Sequence, residues 1–287
     1  MPFERIRREA YKYQKQLPSD HVENLERYLL IAPSLIPNDP ALSQFYINHV
    51  DLQPGNIFVS RSPESDLKIV GLIDWQHTPI LPKFLLAEIP VSLQNNDDPV
   101  SESMTLPSLP DNFDDLTENK QNREKDYFRH RLAHYHYTKN TEELNKLHYA
   151  ALMEPMNKLR RRLFEVASWP WLGETLELKY ELIKATENWG TLTGGSSPCP
   201  VVFETDDVRE TKRLDAEQRR AMRNLEFCQM MVGCAEEGWV PVEDYWAATS
   251  RNKYVKEKTL ALADSEEERA EITEHWVFDD MDEEEYM

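Results

Sequence analysis

Residues 49–60 of the chain read HVDLQPGNIFVS, and residues 67–75 read LKIVGLIDW. Each stretch contains a short run rich in β-branched and aromatic residues, over 56–60 and 67–74, and a polar turn separates the two runs. Runs of this kind on either side of a turn predict a β-hairpin. A loop precedes the first strand and another begins at Asp74, so the pattern predicts a loop, a hairpin and a second loop.

Four polar side chains in this segment have the spacing of a phosphoryl-transfer site. His49, Asp51 and Asn56 follow the pattern H-x-D-x-x-x-x-N, and Asp74 ends the second strand. In-line phosphoryl transfer needs a base beside the accepting hydroxyl and Mg²⁺ on the phosphates. The pattern therefore predicts Asp51 as catalytic base and Asn56 and Asp74 as Mg²⁺ ligands, while His49 braces the loop backbone. Taken singly, Asp51 and Asn56 are more typical of a turn and a cap, and only the joint pattern favours catalysis.

The same residues resemble the aminoglycoside phosphotransferase and choline kinase-like family, which has a protein kinase-like fold. Its members read H-x-D-L-x-x-x-N-I-x-V and then G-x-I-D-W, and this chain matches at 49–59 and 71–75. The segments 79–84 and 199–203 are similar to the fungal branch related to the altered inheritance of mitochondria protein. The resemblance covers most of the chain, strongly over 49–76 and loosely elsewhere.

This resemblance implies the same roles for Asp51, Asn56 and Asp74. It also implies Mg²⁺ and ATP as cofactors and a small-molecule hydroxyl as the acceptor of the γ-phosphate. Aminoglycoside enzymes usually follow the second motif with a Gly-Asp-Pro segment, which is absent here. Antibiotic modification is therefore not implied.

The part of a kinase-like fold that covers the nucleotide is expected to lie outside this chain. A β-rich N-lobe supplies a glycine-rich loop and a strand lysine, but only 48 residues precede His49. The first glycine is Gly55, and the earlier lysines, Lys12 and Lys15, lie in a segment with a helical pattern. We expect the isolated chain to bind MgATP feebly or not at all, as a truncated form or as a C-lobe used for binding.

The predicted fold class is α+β, mainly α: a protein kinase-like C-terminal lobe with a small β-hairpin next to the catalytic loop. N-terminal helices over 1–45 lead into a lobe at 46–263, within which 77–126 is an irregular acidic loop, and an acidic tail follows at 264–287. Two helices are predicted within 3–31. Later helices are predicted at 122–138, at 141–167 with a kink at Pro155, at 174–189 and at 207–237, the last opening on a capping box of Asp207 and Glu210.

Composition restricts the partners. The net charge of −19 disfavours binding to nucleic acid and to anionic lipid. No apolar run is long enough to span a bilayer, and three irregularly spaced cysteines predict neither a disulfide framework nor a zinc site. The cysteine usage fits a reducing compartment, mitochondrial or cytoplasmic.

Three interpretations remain at this stage. The first is a phosphotransferase that moves the γ-phosphate of ATP to a small-molecule hydroxyl. The second is a non-catalytic kinase-like binding module. The third, a metal-dependent hydrolase that uses Asp51 and Asp74, is weaker because neither a histidine cluster nor a second carboxylate pair accompanies them in the sequence.

Overall fold

The structure is a computed structural model that describes residues 17–61, 67–95, 98–168, 175–195, 197–234, 238–274 and 276–279. Over these ranges the protein is mainly helical with two small antiparallel sheets, which confirms the predicted α+β class. The first helix predicted within 3–31 and the polar turn of the hairpin lie outside the described residues. The second helix predicted there is α1, Pro18–Ile31.

The chain divides into two compact units. One unit, called the sheet unit below, comprises Tyr28–Ser168 and Lys184–Pro200 and contains both sheets. The other, called the helical unit, comprises Met1–Arg27, Trp169–Ile183 and Val201–Met287. The predicted site residues all lie in the sheet unit.

The predicted hairpin is present in the sheet unit. Strand β2, Ile57–Ser60, pairs antiparallel with β3, Lys68–Leu72. Ile57 lies opposite Leu72, and the register shifts between Phe58 and Val59. One residue, Ile73, separates the last residue of β3 from Asp74, which places Asp74 at the same end of the hairpin as the loop that enters β2.

A second pair of strands frames the same loop, and the sequence analysis did not predict it. Strand β1, Phe45–Ile47, pairs antiparallel with β4, Ile80–Pro82, so that Ile47 lies opposite Ile80. The prediction of an irregular segment over 77–126 is therefore wrong in part. Strands of three residues are too short to show an alternating pattern, and prolines at both ends of β4 argue against a strand.

The rest of 77–126 also contains helical turns. Helix α2, Lys83–Leu86, follows β4 directly, and α3, Pro99–Glu102, begins with Asp98 as its N-cap. The Asp98 carboxylate accepts hydrogen bonds from Ser101 N and, in a two-oxygen pair, from the Arg131 guanidinium. These bonds hold the pKa of Asp98 below its ordinary value, with the Arg131 hydrogen bond the largest cause. They fix the segment against the following helix.

The long helices of the sheet unit differ from the prediction in their bounds. Helix α4 is Glu118–Leu144, longer at both ends than 122–138. The predicted single helix at 141–167 is instead two helices, α5, Lys146–Met153, and α6, Asn157–Ala167. Pro155 breaks the helix rather than kinking it, because Met156 takes a left-handed conformation with φ 60°.

The helix predicted at 174–189 is also two helices. These are α7, Thr175–Glu187, which runs from one unit into the other, and α8, Trp189–Thr193. Gly194 ends α8 with φ 66°, the left-handed conformation that favours glycine at a helix C-terminus.

A small core holds the second strand pair in the sheet unit. Leu42, Phe84, Ala87 and Ala151 are buried against one another, so that α2 and α5 pack beneath the chain that enters β1. Deep burial of such side chains stabilises by about 1.5 to 3 kcal/mol for each large one. This hydrophobic core therefore supports the chain that leads into the loop between β1 and β2.

Arg160 is the most deeply buried charged residue of the sheet unit, at 3% exposure. Its guanidinium donates to three backbone carbonyls: Leu35 O at 2.9 Å, Leu192 O at 2.7 Å and Pro155 O. The Glu154 carboxylate lies 3.8 Å from the same guanidinium. One side chain therefore satisfies buried acceptors from three separate segments.

We expect Arg160→Met to destabilise the protein by about 3 kcal/mol, because buried carbonyls lose their donors and a buried cation is removed from its partners. Urea denaturation followed by circular dichroism measures the change. Arg129→Met is the matched control, since the Arg129 side chain is 72% exposed and its only described ion pair is with exposed Asp126. Equal midpoints for the two variants would contradict the structural role of Arg160.

The helical unit contains α9, Thr205–Val232, α10, Tyr245–Leu262, and α11, Glu266–Glu274. Val232, Ala248, Val255 and Trp276 form its buried cluster. The predicted capping box at Asp207 is wrong, because α9 begins at Thr205. Asp207 instead forms an ion pair with Lys179 at 2.5 Å.

The predicted acidic tail contains helix α11. Ser265 accepts a hydrogen bond from Glu268 N at 3.0 Å, and the Glu268 carboxylate accepts one from Asp264 N at 2.8 Å. Ser265 therefore caps the helix as in a Ser-x-x-Glu capping box, although the Glu268 carboxylate reaches the residue before the cap. Acidic residues in the first turn also interact favourably with the positive end of the helix dipole. Part of the acidic tail is therefore helical. Residues 280–287 of the tail lie outside the described part of the chain.

Candidate functional site

The structure brings Asp51 and Asn56 into direct contact. The amide nitrogen of Asn56 donates to Asp51 O at 2.8 Å and to Asp51 Oδ2 at 3.0 Å. Gln53 Nε2 donates to the same carboxylate oxygen at 2.9 Å. The backbone closes the loop through bonds from Gln53 N to Asp51 O and from Asn56 N to Gln53 O, both at 3.0 Å. The Asp51 carboxylate is therefore oriented but exposed.

These contacts settle which way the Asn56 amide faces. An amide nitrogen donates whereas an amide oxygen only accepts. Because both groups of Asp51 near the amide are acceptors, a flipped amide would set oxygen against oxygen. The Oδ1 atom of Asn56 consequently faces away from Asp51, and it accepts no hydrogen bond from any residue that the structure describes. Asn56 itself is buried, at 8% exposure.

Asp74 is linked to Asn56 and His49 through the residue before it. Ile73 N donates to Asn56 O at 3.1 Å, and Ile73 O accepts from His49 Nε2 at 2.7 Å. The residue that precedes Asp74 is thus held on both sides of its backbone. Hydrogen bonds therefore tie His49, Asp51 and Asn56 to one loop, and Asp74 follows Ile73 along the backbone without a hydrogen bond of its own among the described residues.

Asp74 has an unusual backbone conformation. Its φ is 64°, in the left-handed region, which is uncommon outside glycine although aspartate and asparagine adopt it more readily than other residues. Its side chain is exposed and forms no hydrogen bond or ion pair within the ranges that the structure describes. Strained conformations of this kind concentrate at functional sites, and here the strain directs an unpaired carboxylate next to a rigid backbone.

His49 is buried, at 8% exposure, and braces the loop by hydrogen bonding and stacking. Because Ile73 O can only accept, the proton lies on Nε2. The imidazole ring lies 4.8 Å from the Trp75 ring, tilted by 60°. Trp75 Nε1 in turn donates to Leu72 O at 3.2 Å. The geometry favours a structural role for His49.

We expect His49→Phe to lower the free energy of unfolding by about 1 kcal/mol, because Ile73 O loses its donor while the ring contact with Trp75 is kept. Denaturation in urea measures this change. His130→Phe, at an exposed position of α4, controls for the substitution itself. Unchanged stability in His49→Phe would show that the bond to Ile73 does not hold the loop.

Sequence reasoning missed several parts of this site. It did not identify Gln53 and Trp75, which orient Asp51 and cover His49. It also missed the β1–β4 pair, although the run Phe45-Tyr46-Ile47 is β-rich and lies directly before the loop. Such a signal is readable only once its partner strand is known.

Both strand pairs expose large apolar side chains. Phe58, Ile69 and Val70 on the hairpin are 53%, 62% and 62% exposed. Phe45 and Ile80 on the second pair are 68% and 67% exposed. Exposed apolar side chains on paired strands are available to a partner.

Among the described residues, no three histidine, cysteine, aspartate or glutamate side chains converge as they would in a closed metal centre. Asparagine is outside that set of residue types. Mg²⁺ keeps several waters and binds through one or two protein oxygens, so Asn56 and Asp74 fit its preference for hard ligands. None of the helices over the described ranges is long and apolar enough to cross a bilayer.

The chain is similar to fungal proteins. It is 26% identical over 267 residues to a subtelomeric hrmA-associated cluster protein in each of two strains of Aspergillus fumigatus. The alignment covers 92% of this chain and 51% of each relative, so the chain spans about half the length of the curated relatives it matches. No protein-family model and no solved structure matches the chain.

Proposed function

We propose that the loop formed by His49, Asp51, Asn56 and Asp74 is the catalytic site of a phosphotransferase. The reaction is transfer of the γ-phosphate of ATP to the hydroxyl of a small molecule. The observation that carries the proposal is the Asn56 amide, whose nitrogen is committed to Asp51 while Oδ1 remains unbonded among the described residues. An amide oxygen that no described residue uses is a hard ligand of the kind that Mg²⁺ prefers.

Asp51 is assigned the role of base. Its Oδ2 accepts from Gln53 and Asn56, while no described residue donates to Oδ1. An exposed, oriented carboxylate with one unoccupied oxygen can accept the proton of an incoming hydroxyl. Because two donors fix Asp51, the base is positioned before the substrate binds. Positioning of this kind supplies most of the rate enhancement in phosphoryl transfer.

Asn56 Oδ1 and the Asp74 carboxylate are assigned to the metal. Mg²⁺ bound there would neutralise the charge that develops on the transferred phosphoryl group. Asn56 precedes β2 and Asp74 follows β3, and the bond from Ile73 N to Asn56 O holds the two segments of backbone together. His49 holds that arrangement from the other side of Ile73.

The acceptor is proposed to be a neutral or cationic alcohol. No arginine or lysine of the described residues forms an ion pair with Asp51 or Asp74. The loop therefore offers an anionic acceptor no described counter-charge beside the base, whereas a cationic alcohol would be attracted to the Asp51 carboxylate.

The experiment is incubation of the chain with a panel of alcohols and a large excess of ATP, because the isolated chain is expected to bind MgATP only feebly. Mass spectrometry detects phosphorylated products. The proposal predicts a product that requires Mg²⁺ and disappears when EDTA is added. A panel that includes choline and an amino sugar samples the cationic class. If a product forms equally in EDTA, the assignment of Asn56 and Asp74 is incorrect.

A second candidate function is a kinase-like binding module without catalysis. The exposure of Phe58, Ile69 and Val70 favours it, because a protein partner would cover these side chains. Such a module retains the hydrogen-bonded loop as a brace. It predicts no effect of divalent cations, whereas the phosphotransferase requires them.

A further inference from the structure

A segment of the helical unit exposes large apolar side chains to solvent. The segment is 239–246, which leads into α10 and is called the aromatic turn below. Four of its side chains are more than half exposed: Val242 at 89%, Trp246 at 77%, Trp239 at 60% and Tyr245 at 54%. Large apolar residues grouped within one short segment are available to a partner.

The backbone of the aromatic turn is held at both ends by the core of the helical unit. Val240 packs against the buried cluster of that unit, and Ala248 belongs to the cluster. Between them Asp244 N donates to Pro241 O at 3.0 Å, and the tight helical turn Val242–Asp244 continues directly into α10. The exposed side chains therefore project from an ordered backbone, which lowers the entropic cost of binding a partner.

The aromatic turn also carries polar groups that lack partners among the described residues. The carboxylates of Glu243 and Asp244 are exposed and form no ion pair there, and Asp244 does not cap α10 with its side chain. The indole N–H groups of Trp239 and Trp246 have no described acceptor. The Trp246 ring lies with its centroid 5.3 Å from that of Tyr245, edge to face.

The charge of this surface indicates the kind of partner that it fits. No arginine or lysine occurs over 238–250, whereas two carboxylates lie between Val242 and Tyr245. An arginine guanidinium can pair with a carboxylate while its plane stacks on an aromatic ring. The phosphates of nucleic acid and of anionic lipid would be repelled. Exposed aromatic rings beside free carboxylates thus match a basic segment of protein.

We propose that the aromatic turn is the docking surface for an arginine-bearing segment of a partner protein. The rings of Tyr245 and Trp246 supply faces for the guanidinium, and Glu243 and Asp244 supply its counter-charge. Val242 contacts apolar side chains of the same segment. The inference does not depend on the phosphotransferase proposal, because the helical unit contains none of the residues of the proposed catalytic loop.

The test measures binding of a dye-labelled synthetic peptide of alternating arginine and leucine to the full chain by fluorescence anisotropy. Trp246→Ala should weaken binding about tenfold, as loss of a central interface tryptophan does. Glu243→Gln should weaken it about threefold, since an exposed ion pair contributes less. The matched controls are Leu262→Ala and Glu257→Gln, at exposed positions further along α10, and both should bind as the wild-type chain does.

The nature of the peptide provides a further control. Citrulline has the shape of arginine without its charge, so a citrulline peptide should bind about tenfold more weakly. Equal affinity of the wild-type chain and Trp246→Ala for the arginine peptide would overturn the proposal, because the acidic chain as a whole would then attract it. Absence of binding would also overturn it. Dimerisation of the chain, or binding to phosphatidylcholine vesicles, that is lost in Trp246→Ala would assign the surface to another occupant and contradict the proposal.

A second measurement needs no variant. In nuclear magnetic resonance spectra of the wild-type chain, the indole N–H signals of Trp239 and Trp246 should shift when the arginine peptide is added. The Trp189 signal should not, because Trp189 is 6% exposed and its N–H donates to Ser197 O at 2.8 Å. An unchanged Trp246 signal at saturating peptide would show that docking does not occur at the aromatic turn.

Discussion

Replacement of Asp51 by asparagine is expected to lower the rate of phosphoryl transfer by about 10³-fold, within the range that a positioned general base contributes. The side-chain oxygen of asparagine can still accept from Gln53 and Asn56, so the loop should keep its structure. What is lost is the carboxylate that accepts the hydroxyl proton. The rate of product formation from ATP and the acceptor measures the effect.

Asp111→Asn provides the matched control for this variant. Asp111 is exposed, lies outside the loop and forms no contact that involves its side chain in the described part of the chain. Its activity should equal that of the wild-type chain. Activity of Asp51→Asn within a factor of about two of the control would remove Asp51 from the role of base.

Replacement of Asp74 by asparagine is expected to weaken Mn²⁺ binding by about 10²-fold, because the metal loses its only charged protein ligand. Asparagine tolerates the left-handed conformation that Asp74 adopts at φ 64°. The substitution therefore removes charge with little change in backbone. Electron paramagnetic resonance of free Mn²⁺, which stands in for Mg²⁺, measures the affinity.

His77→Asn controls for a change at a neighbouring left-handed position, since His77 is exposed and has φ 58°. Mn²⁺ affinity should be unchanged in this variant. Equal affinities of the wild-type chain and Asp74→Asn would mean that Asp74 does not bind the metal. Unfolding in urea should be nearly the same for both variants, because neither side chain forms a described hydrogen bond.

The local part of the fold could be predicted from the sequence because it rests on local patterns. The hairpin of β2 and β3 has two β-rich runs and a polar turn that are read without knowledge of the rest of the chain. The β1–β4 pair could not be predicted in this way. It joins two three-residue strands that are separated by the whole loop and hairpin, and their pairing depends on the core of Leu42, Phe84 and Ala151.

The ends of the helices also depend on tertiary contacts that the sequence does not reveal. The sequence predicted that Pro155 disturbs a helix, since proline in a helix interior removes a backbone hydrogen bond. Its extent depends on tertiary contacts, because the Arg160 guanidinium binds Pro155 O and stabilises the broken turn. Asp207 was misassigned for a related reason: Lys179, distant in sequence, competes for the carboxylate that a capping box would use.

The candidate site residues were identified by spacing, but spacing carries no geometry. The direction of the Asn56 amide follows from the position of Asp51 O and Oδ2, which only the folded loop defines. The link from Asn56 through Ile73 to His49 is likewise a property of the paired strands.

The proposed site requires that Asn56 and Asp74 bind one divalent cation together. The most direct measurement is the broadening of nuclear magnetic resonance signals by Mn²⁺ in the isotope-labelled chain. We predict that a small amount of Mn²⁺ broadens the side-chain amide of Asn56 and the backbone amide of Asp74 at the same concentration, and that excess Mg²⁺ reverses both. Broadening of one signal without the other, or of neither, would contradict the shared site.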